Sequence, residues 1–139
     1  MKRRAILSLA LLPFAALANE DALNAAIRAE IGGATPQEGG IVLRVPPVAE
    51  NGGQVPVTVL VDSPQSAARY VTAIHLFATR NPTPGIASFK LGPSLARAEI
   101  QTRIRIAENQ TLVVLARMND GTVQRATAEI RVATGGCLT

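Results

Sequence analysis

Few residues in this chain can do chemistry. Its 139 residues include one cysteine, one histidine and one tyrosine, namely Cys137, His75 and Tyr70. With a single His and a single Cys, no structural zinc or blue-copper ligand set can be assembled. The Asp and Glu residues are scattered, and no pair has a spacing suited to acid–base work. Gly39-Gly40 neither follows a strand nor opens a helix, so it is not a phosphate loop. No metal and no cofactor are expected. What remains is Cys137, within the closing stretch Thr134-Gly135-Gly136-Cys137-Leu138-Thr139.

Gly135 and Gly136 follow a strand-like run, Ala126 to Val132. Glycine lacks a Cβ and samples φ of either sign, so the pair should end the strand and leave a flexible arm, 134–139. Such an arm reaches at most ~20 Å beyond the last ordered residue. Free cysteine is mostly a buried residue type, yet this one stands where burial is not expected. A Cys137–His75 nucleophilic pair is formally available. A flexible arm, however, is a poor way to hold the ~3 Å contact that base activation needs.

The elements that must position the thiol follow from pattern. Residues 1–18 read as a cleaved signal peptide: Lys2-Arg3-Arg4 is the positive region, Ala5 to Leu17 the apolar one, and Ala16-Leu17-Ala18 the cleavage pattern. The apolar run is too short for a membrane span. Arg3-Arg4 suits twin-arginine export and equally a general secretion signal. Cleavage removes three of the 14 basic residues, leaving 11 against 10 acidic ones. That near-neutral mature chain has no basic cluster and few aromatic residues, so nucleic acid is excluded as a partner. An exported protein with an odd cysteine is expected to pair it with another chain or to use it as a reactive thiol.

Residues 19–40 read as a short N-terminal helix and a linker. Leu23, Ala26, Ile27 and Ile31 stand at helical spacing, and Gly32-Gly33 close the helix. Residues 41–133 read as an all-β, immunoglobulin-like β-sandwich of about seven short strands separated by turn signals. The runs are Ile41–Val45, Val55–Val61, Tyr70–Thr79, Ile86–Leu91, Ile100–Ile106, Leu112–Met118 and Thr122–Val132. Glu50-Asn51-Gly52-Gly53 is a turn signal, since glycine and asparagine tolerate the positive φ that tight turns need, and Asn119-Asp120-Gly121 signals a hairpin. Two strands are apolar on both faces: Leu112 to Leu115, and Val71, Ile74, Leu76 and Phe77. A sandwich strand needs only one dry face, so the second requires cover, from the N-terminal helix or from a protein partner.

Read in order, several stretches resemble the SoxY family of the thiosulfate-oxidising Sox system. They are Val45-Pro46-Pro47-Val48-Ala49-Glu50-Asn51-Gly52, Val55-Pro56-Val57, Val61-Asp62-Ser63-Pro64, Arg80-Asn81-Pro82, Arg103-Ile104-Arg105 and Gly135-Gly136-Cys137. The resemblance implies a non-enzymatic carrier whose Cys137 is the point of covalent sulfur attachment. It implies a heterodimer with a SoxZ-like subunit, and passing encounters with haem-containing and hydrolytic Sox enzymes. The chain departs from the family in its last residues, where Leu138-Thr139 replace two glycines. A different reading of the same residues is a non-catalytic periplasmic binding module or complex subunit, tethered through an intermolecular Cys137 disulfide.

Overall fold

The computed structural model describes the backbone of residues 14–133 and the side chains of residues 20–133. One helix, α1 (Phe14–Ile31), precedes nine strands. These are β1 (Gln37–Glu38), β2 (Ile41–Arg44), β3 (Val48–Ala49), β4 (Val55–Val61), β5 (Val71–Ala78), β6 (Gly85–Lys90), β7 (Ala98–Ile104), β8 (Gln110–Met118) and β9 (Val123–Val132). The larger sheet runs β1-β9-β8-β5-β6, with β3 added to β9, and the smaller runs β2-β4-β7.

Alternation builds the smaller sheet. Val55, Val57, Val59 and Val61 of β4 are all buried, while Pro56 between them is exposed. Their side chains meet Ile74, Leu76 and Ala78 of β5 and Leu112, Val114 and Ala116 of β8 in one core between the sheets. This is the packing expected of two sheets whose inner faces interdigitate.

A second, smaller core lies on the opposite face of the larger sheet. Phe77 of β5, Val113 and Leu115 of β8 and Val123 of β9 pack there with Ile31 of α1, flanked by Leu23, Ala26 and Ile27. The cover that the doubly apolar strands require is therefore the N-terminal helix, and not a partner protein. Gly32, at φ 64°, ends α1, and its amide donates to the Arg28 carbonyl at 2.8 Å, a left-handed C-terminal cap.

All seven expected strands are present, with ends shifted by one or two residues in most cases. Two differences stand out. The helix begins at Phe14 and so runs through the expected cleavage junction at Ala18, although its docked side chains start at Leu23. The stretch read as linker contains β1, which pairs in parallel with Gln124 and Arg125 of β9 and is tied by Arg125 Nη1 to Glu38 Oε1 at 2.6 Å. A strand of two residues has no period to read, so sequence patterning cannot reveal it.

Replacing Phe77 with Ala is expected to cost about 3–5 kcal/mol, because a large buried ring is lost beneath α1. Denaturant unfolding checks this, and a loss under about 1 kcal/mol would mean that the helix-covered core contributes little. A chain beginning at Asn19 is expected to melt with the intact one, since it keeps every docked side chain named above.

Candidate functional site

Cys137, Gly135 and Gly136 lie outside the described residues, which end at Ala133. What the structure shows is the root from which that stretch departs. β9 begins at the Asn119-Asp120-Gly121 hairpin, where Gly121 has φ 89°, as the hairpin signal requires. The Asp120 carboxylate accepts from the Thr122 hydroxyl at 2.6 Å and the Thr122 amide at 2.9 Å. Those two bonds, led by the hydroxyl, lower its pKa. β8 then pairs with β9 from Arg117↔Val123 to Gln110↔Ile130.

Beyond Ile130, β9 has outrun β8, and other groups take over. The Val132 amide donates to Asn109 Oδ1 at 2.7 Å. This side-chain acceptor stands where β8 no longer supplies a carbonyl. The neighbouring amides donate elsewhere: Arg131 to the Pro47 carbonyl at 3.0 Å and Ala133 to the Ala49 carbonyl at 2.9 Å. These bonds accompany the parallel pairing of β3 with Arg131 and Val132. The last described residue is thus fixed by its own amide.

The loops that supply these acceptors are themselves pinned. Asn81 donates to the Arg105 carbonyl at 2.8 Å, and its Oδ1 accepts from the Ala107 amide at 3.0 Å and Gln110 Nε2 at 2.8 Å. Gln110 is only 7% exposed, and its Oε1 accepts from the Arg80 amide at 2.7 Å. Gly52 joins the two sides, since its carbonyl accepts from the Ile106 amide at 2.7 Å. A Cβ on Gly52 would lie 2.5 Å from the Ile106 carbonyl oxygen and 3.2 Å from Val132 Cγ1. The turn expected at Glu50 to Gly53 is present, although neither Gly52 nor Gly53 has positive φ. Gly52 is required by close approach of two backbones, and Asn51 makes the turn by accepting the Gly53 amide on its Oδ1 at 2.9 Å.

His75 is 5% exposed and faces α1. Its Nδ1 lies 2.7 Å from Ser88 Oγ and 3.4 Å from Glu30 Oε2. Both contacts are made by the same ring nitrogen, so the group cannot relay a proton from one residue through the ring to the other. Burial lowers the His75 pKa below its usual 6.5; Glu30 opposes that shift and Arg117 adds to it. In register, His75 lies across from Leu115, and Leu115 from Arg125. Eight residues of β9 therefore separate that level from Ala133, about 26 Å at ~3.3 Å per residue. Four residues of chain from Ala133 to Cys137 span at most ~14 Å. The Cys137–His75 pair is out of reach.

Among the described residues, no three His, Cys, Asp or Glu come together as a metal site, and no helix is long and apolar enough to cross a membrane. The contacts at the end of β9 that sequence reasoning missed are those of Asn109 with Val132, Ala49 with Ala133 and Gly52 with Ile106. The order of motifs pointed to the region, since each borders a turn, but nothing in the spacing showed that they converge.

Comparison with known proteins bears on this arrangement. A family model described as "Sulfur oxidation protein SoxY" matches residues 27–137, a span that ends on Cys137. The structure of the sulfur carrier protein SoxY from Chlorobium limicola f thiosulfatophilum superposes with a TM-score of 0.69 at 35% identity, covering 82% of this chain and 98% of that one. A superoxide reductase (neelaredoxin) from Ignicoccus hospitalis gives 0.60 at 18% identity, covering 68% of this chain and 81% of the other. A Thermotoga maritima protein described as a putative superoxide reductase gives 0.61 at 13% identity, covering 70% and 94%. The last two likenesses show the fold alone. Comparison with curated proteins gives no match.

Two outcomes are expected from this geometry. Because the folded His75 pKa is lowered, the unfolded chain takes up the proton first. Stability is then full above about pH 6.5 and declines as pH falls below it. Thermal melts across pH should show this limb, and His75→Gln should flatten it. Gly52→Ala should destabilise by about 1–3 kcal/mol through overpacking, with faster amide exchange at Val132; an unchanged melt would contradict the contact with Ile106.

Proposed function

The chain belongs to the SoxY family of sulfur oxidation proteins, and from that premise we propose that it is a periplasmic covalent sulfur carrier acting through Cys137. The observation that carries this reading is the extent of the family match: it runs to residue 137, which is the single cysteine. The protein is a carrier and not an enzyme, as its solved relative from Chlorobium is named.

The cargo in this reading is thiosulfate-derived sulfur. A haem-containing partner joins the Cys137 thiol to thiosulfate, forming a sulfur–sulfur bond while two electrons pass to the haem enzyme and one proton to water. A hydrolytic partner then adds water to the outer sulfone and releases it as sulfate, leaving a persulfide on Cys137. Gly135 and Gly136 serve as the slender part of the arm that enters these enzymes. A SoxZ-like subunit completes a heterodimer. The face of the larger sheet under α1 is already packed, which supports docking of that subunit elsewhere on the body.

Residues 1–18 act as the export signal in this account. Leu138 and Thr139 set the chain apart from the family's glycine ending, adding bulk and a stiff β-branched residue next to the sulfur. They are proposed to tune delivery and not folding.

The test is the mass of the C-terminal peptide from protein purified after growth on thiosulfate, before and after reductant, with Cys137→Ser alongside. Sulfur or thiosulfate on Cys137 that reductant removes is expected, and none in the serine variant. A plain thiol, or a reducible dimer without added sulfur, would overturn the carrier reading in favour of a binding module tethered by an intermolecular disulfide. Leu138→Gly is expected to leave the melting temperature unchanged.

A further inference from the structure

The larger sheet ends on β6, and among the described residues nothing pairs with the outer side of that strand. The Leu91 amide donates to the Thr72 carbonyl at 2.9 Å, which settles the backbone groups that face β5. Opposed residues of an antiparallel pair alternate between bonded and non-bonded. Counting back through Lys90↔Ala73, Phe89↔Ile74, Ser88↔His75 and Ala87↔Leu76, the amides and carbonyls of Phe89 and Ala87 face β5. Those of Ser88 and Lys90 face away from the sheet. We propose that this edge joins two copies of the chain, antiparallel about a two-fold axis, with Lys90 of each copy seated between α1 and β6 of the other. The dimer does not depend on the carrier reading.

The space between α1 and β6 suits a lysine side chain. It is a groove of about 320 Å³ whose walls include Ala26 and Ala29 of α1, Phe77 of β5 and Ala87 of β6, with Glu30 and Ser88 as polar members. Glu30 stands in the last turn of α1, where the helix carbonyls disfavour a carboxylate. Among the described residues its one close basic contact is His75 Nδ1 at 3.4 Å, and burial holds that imidazole toward its neutral form. Lys90 is exposed, and it is the chain's only lysine after Lys2. It makes no ion pair among the described residues. An apolar stem that carries a compact cation matches an apolar groove holding one carboxylate.

The edge is also self-complementary. With Ser88 of one strand opposite Lys90 of the other, both residues turn free backbone groups toward the partner strand. Each such pair exchanges two hydrogen bonds, and the symmetry makes the pair twice. Residues opposite one another share a face of the sheet. Ser88 points to the α1 side, where its hydroxyl meets His75, so Lys90 of the second copy arrives on that side, beside the groove. The two Phe89 side chains meet at the axis on the opposite face, the side of the main core. A lysine on an edge strand ordinarily keeps other strands away. The two roles therefore predict opposite effects of removing it.

The experiment is sedimentation velocity over a concentration series, on the chain purified from the cell and kept in reductant so that no Cys137 disulfide contributes. A reversible monomer–dimer equilibrium is expected. Lys90→Glu sets a carboxylate against Glu30 at two symmetric places and is expected to weaken association at least about tenfold. Glu30→Lys is expected to do the same, and the two changes together restore it. Ser88→Pro removes an amide that faces outward, a position where an edge strand tolerates proline, and abolishes the dimer. Thermal melts at concentrations where the chain is monomeric separate lost association from lost fold. Lys90→Glu lies on the surface and keeps the native melt, so the test holds even if Ser88→Pro is unstable.

A monomer at every concentration would overturn the dimer. Tighter association after Lys90→Glu would overturn it too, making Lys90 a guard of the edge. Native association in the single variants would place the contact elsewhere on the body. Association only with a different polypeptide would give β6 another occupant than a second copy.

Discussion

The fold depends on burying β5 and β8 from both sides. Ile74, Leu76, Leu112 and Val114 point into the space between the sheets, while Phe77, Val113 and Leu115 point out of it, toward α1. Each fully buried side chain of this size is worth roughly 1.5–3 kcal/mol, so neither face can be left wet. One face calls for the β2-β4-β7 sheet and the other for a helix. The segment after residue 18 supplies that helix with Leu23, Ala26, Ile27 and Ile31. His75 shows the cost of the arrangement. It sits beneath the helix with its Nδ1 against Ser88 and Glu30, and burial disfavours its charged form.

Placement of β9 follows from the same pair. It lies beside β8, sends Val123 under the helix and then runs past the end of its neighbour at Ile130. A strand that leaves its sheet in this way must find partners for its remaining amides or lose them to water. The acceptors come from loops far away in sequence, held by Asn81, Gln110 and Gly52. The described residues thus end at Ala133 with its amide bonded to the Ala49 carbonyl. Its stability does not call on Cys137, which has no second cysteine to pair with in the chain.

The sequence showed much of this and missed a particular class of feature. Alternation exposed β4, and the double-faced apolar runs exposed β5 and β8 as strands needing cover. Helical spacing in residues 20–31 gave α1 an apolar face, yet spacing cannot say which surface that face meets. β1 and β3 escaped because two residues have no period. Gly52 was visible as a turn residue, but its constraint comes from Ile106, 54 residues later, a close approach that local spacing does not show. Asn109 escaped for a similar cause. Its bond to Val132 spans 23 residues and joins a side chain to a backbone, a contact that leaves no pattern in hydrophobicity. Cys137 stands out in the sequence as the single cysteine and lies outside the described residues.

The distance between body and thiol bears on where activation comes from. An unperturbed cysteine titrates near 8.5 and is only a few per cent thiolate at pH 7. The usual local remedy is a histidine or a cation held against the sulfur. Here the one histidine is spent beneath α1, its Nδ1 against Ser88 and Glu30, and four residues of chain cannot bring Cys137 to it. Among basic groups, the sequence from Val132 to Thr139 contains none. Under the carrier function proposed above, acceptance by enzymes doing different reactions gains from this. A thiol with its own fixed activator would present the same bulky, charged surroundings to every partner. A thiol without one leaves each enzyme to supply the base, the cation or the electron acceptor suited to its own step. In that proposal the carrier contributes a stable body whose last described strand is bonded through Ala133, and its partners contribute the chemistry.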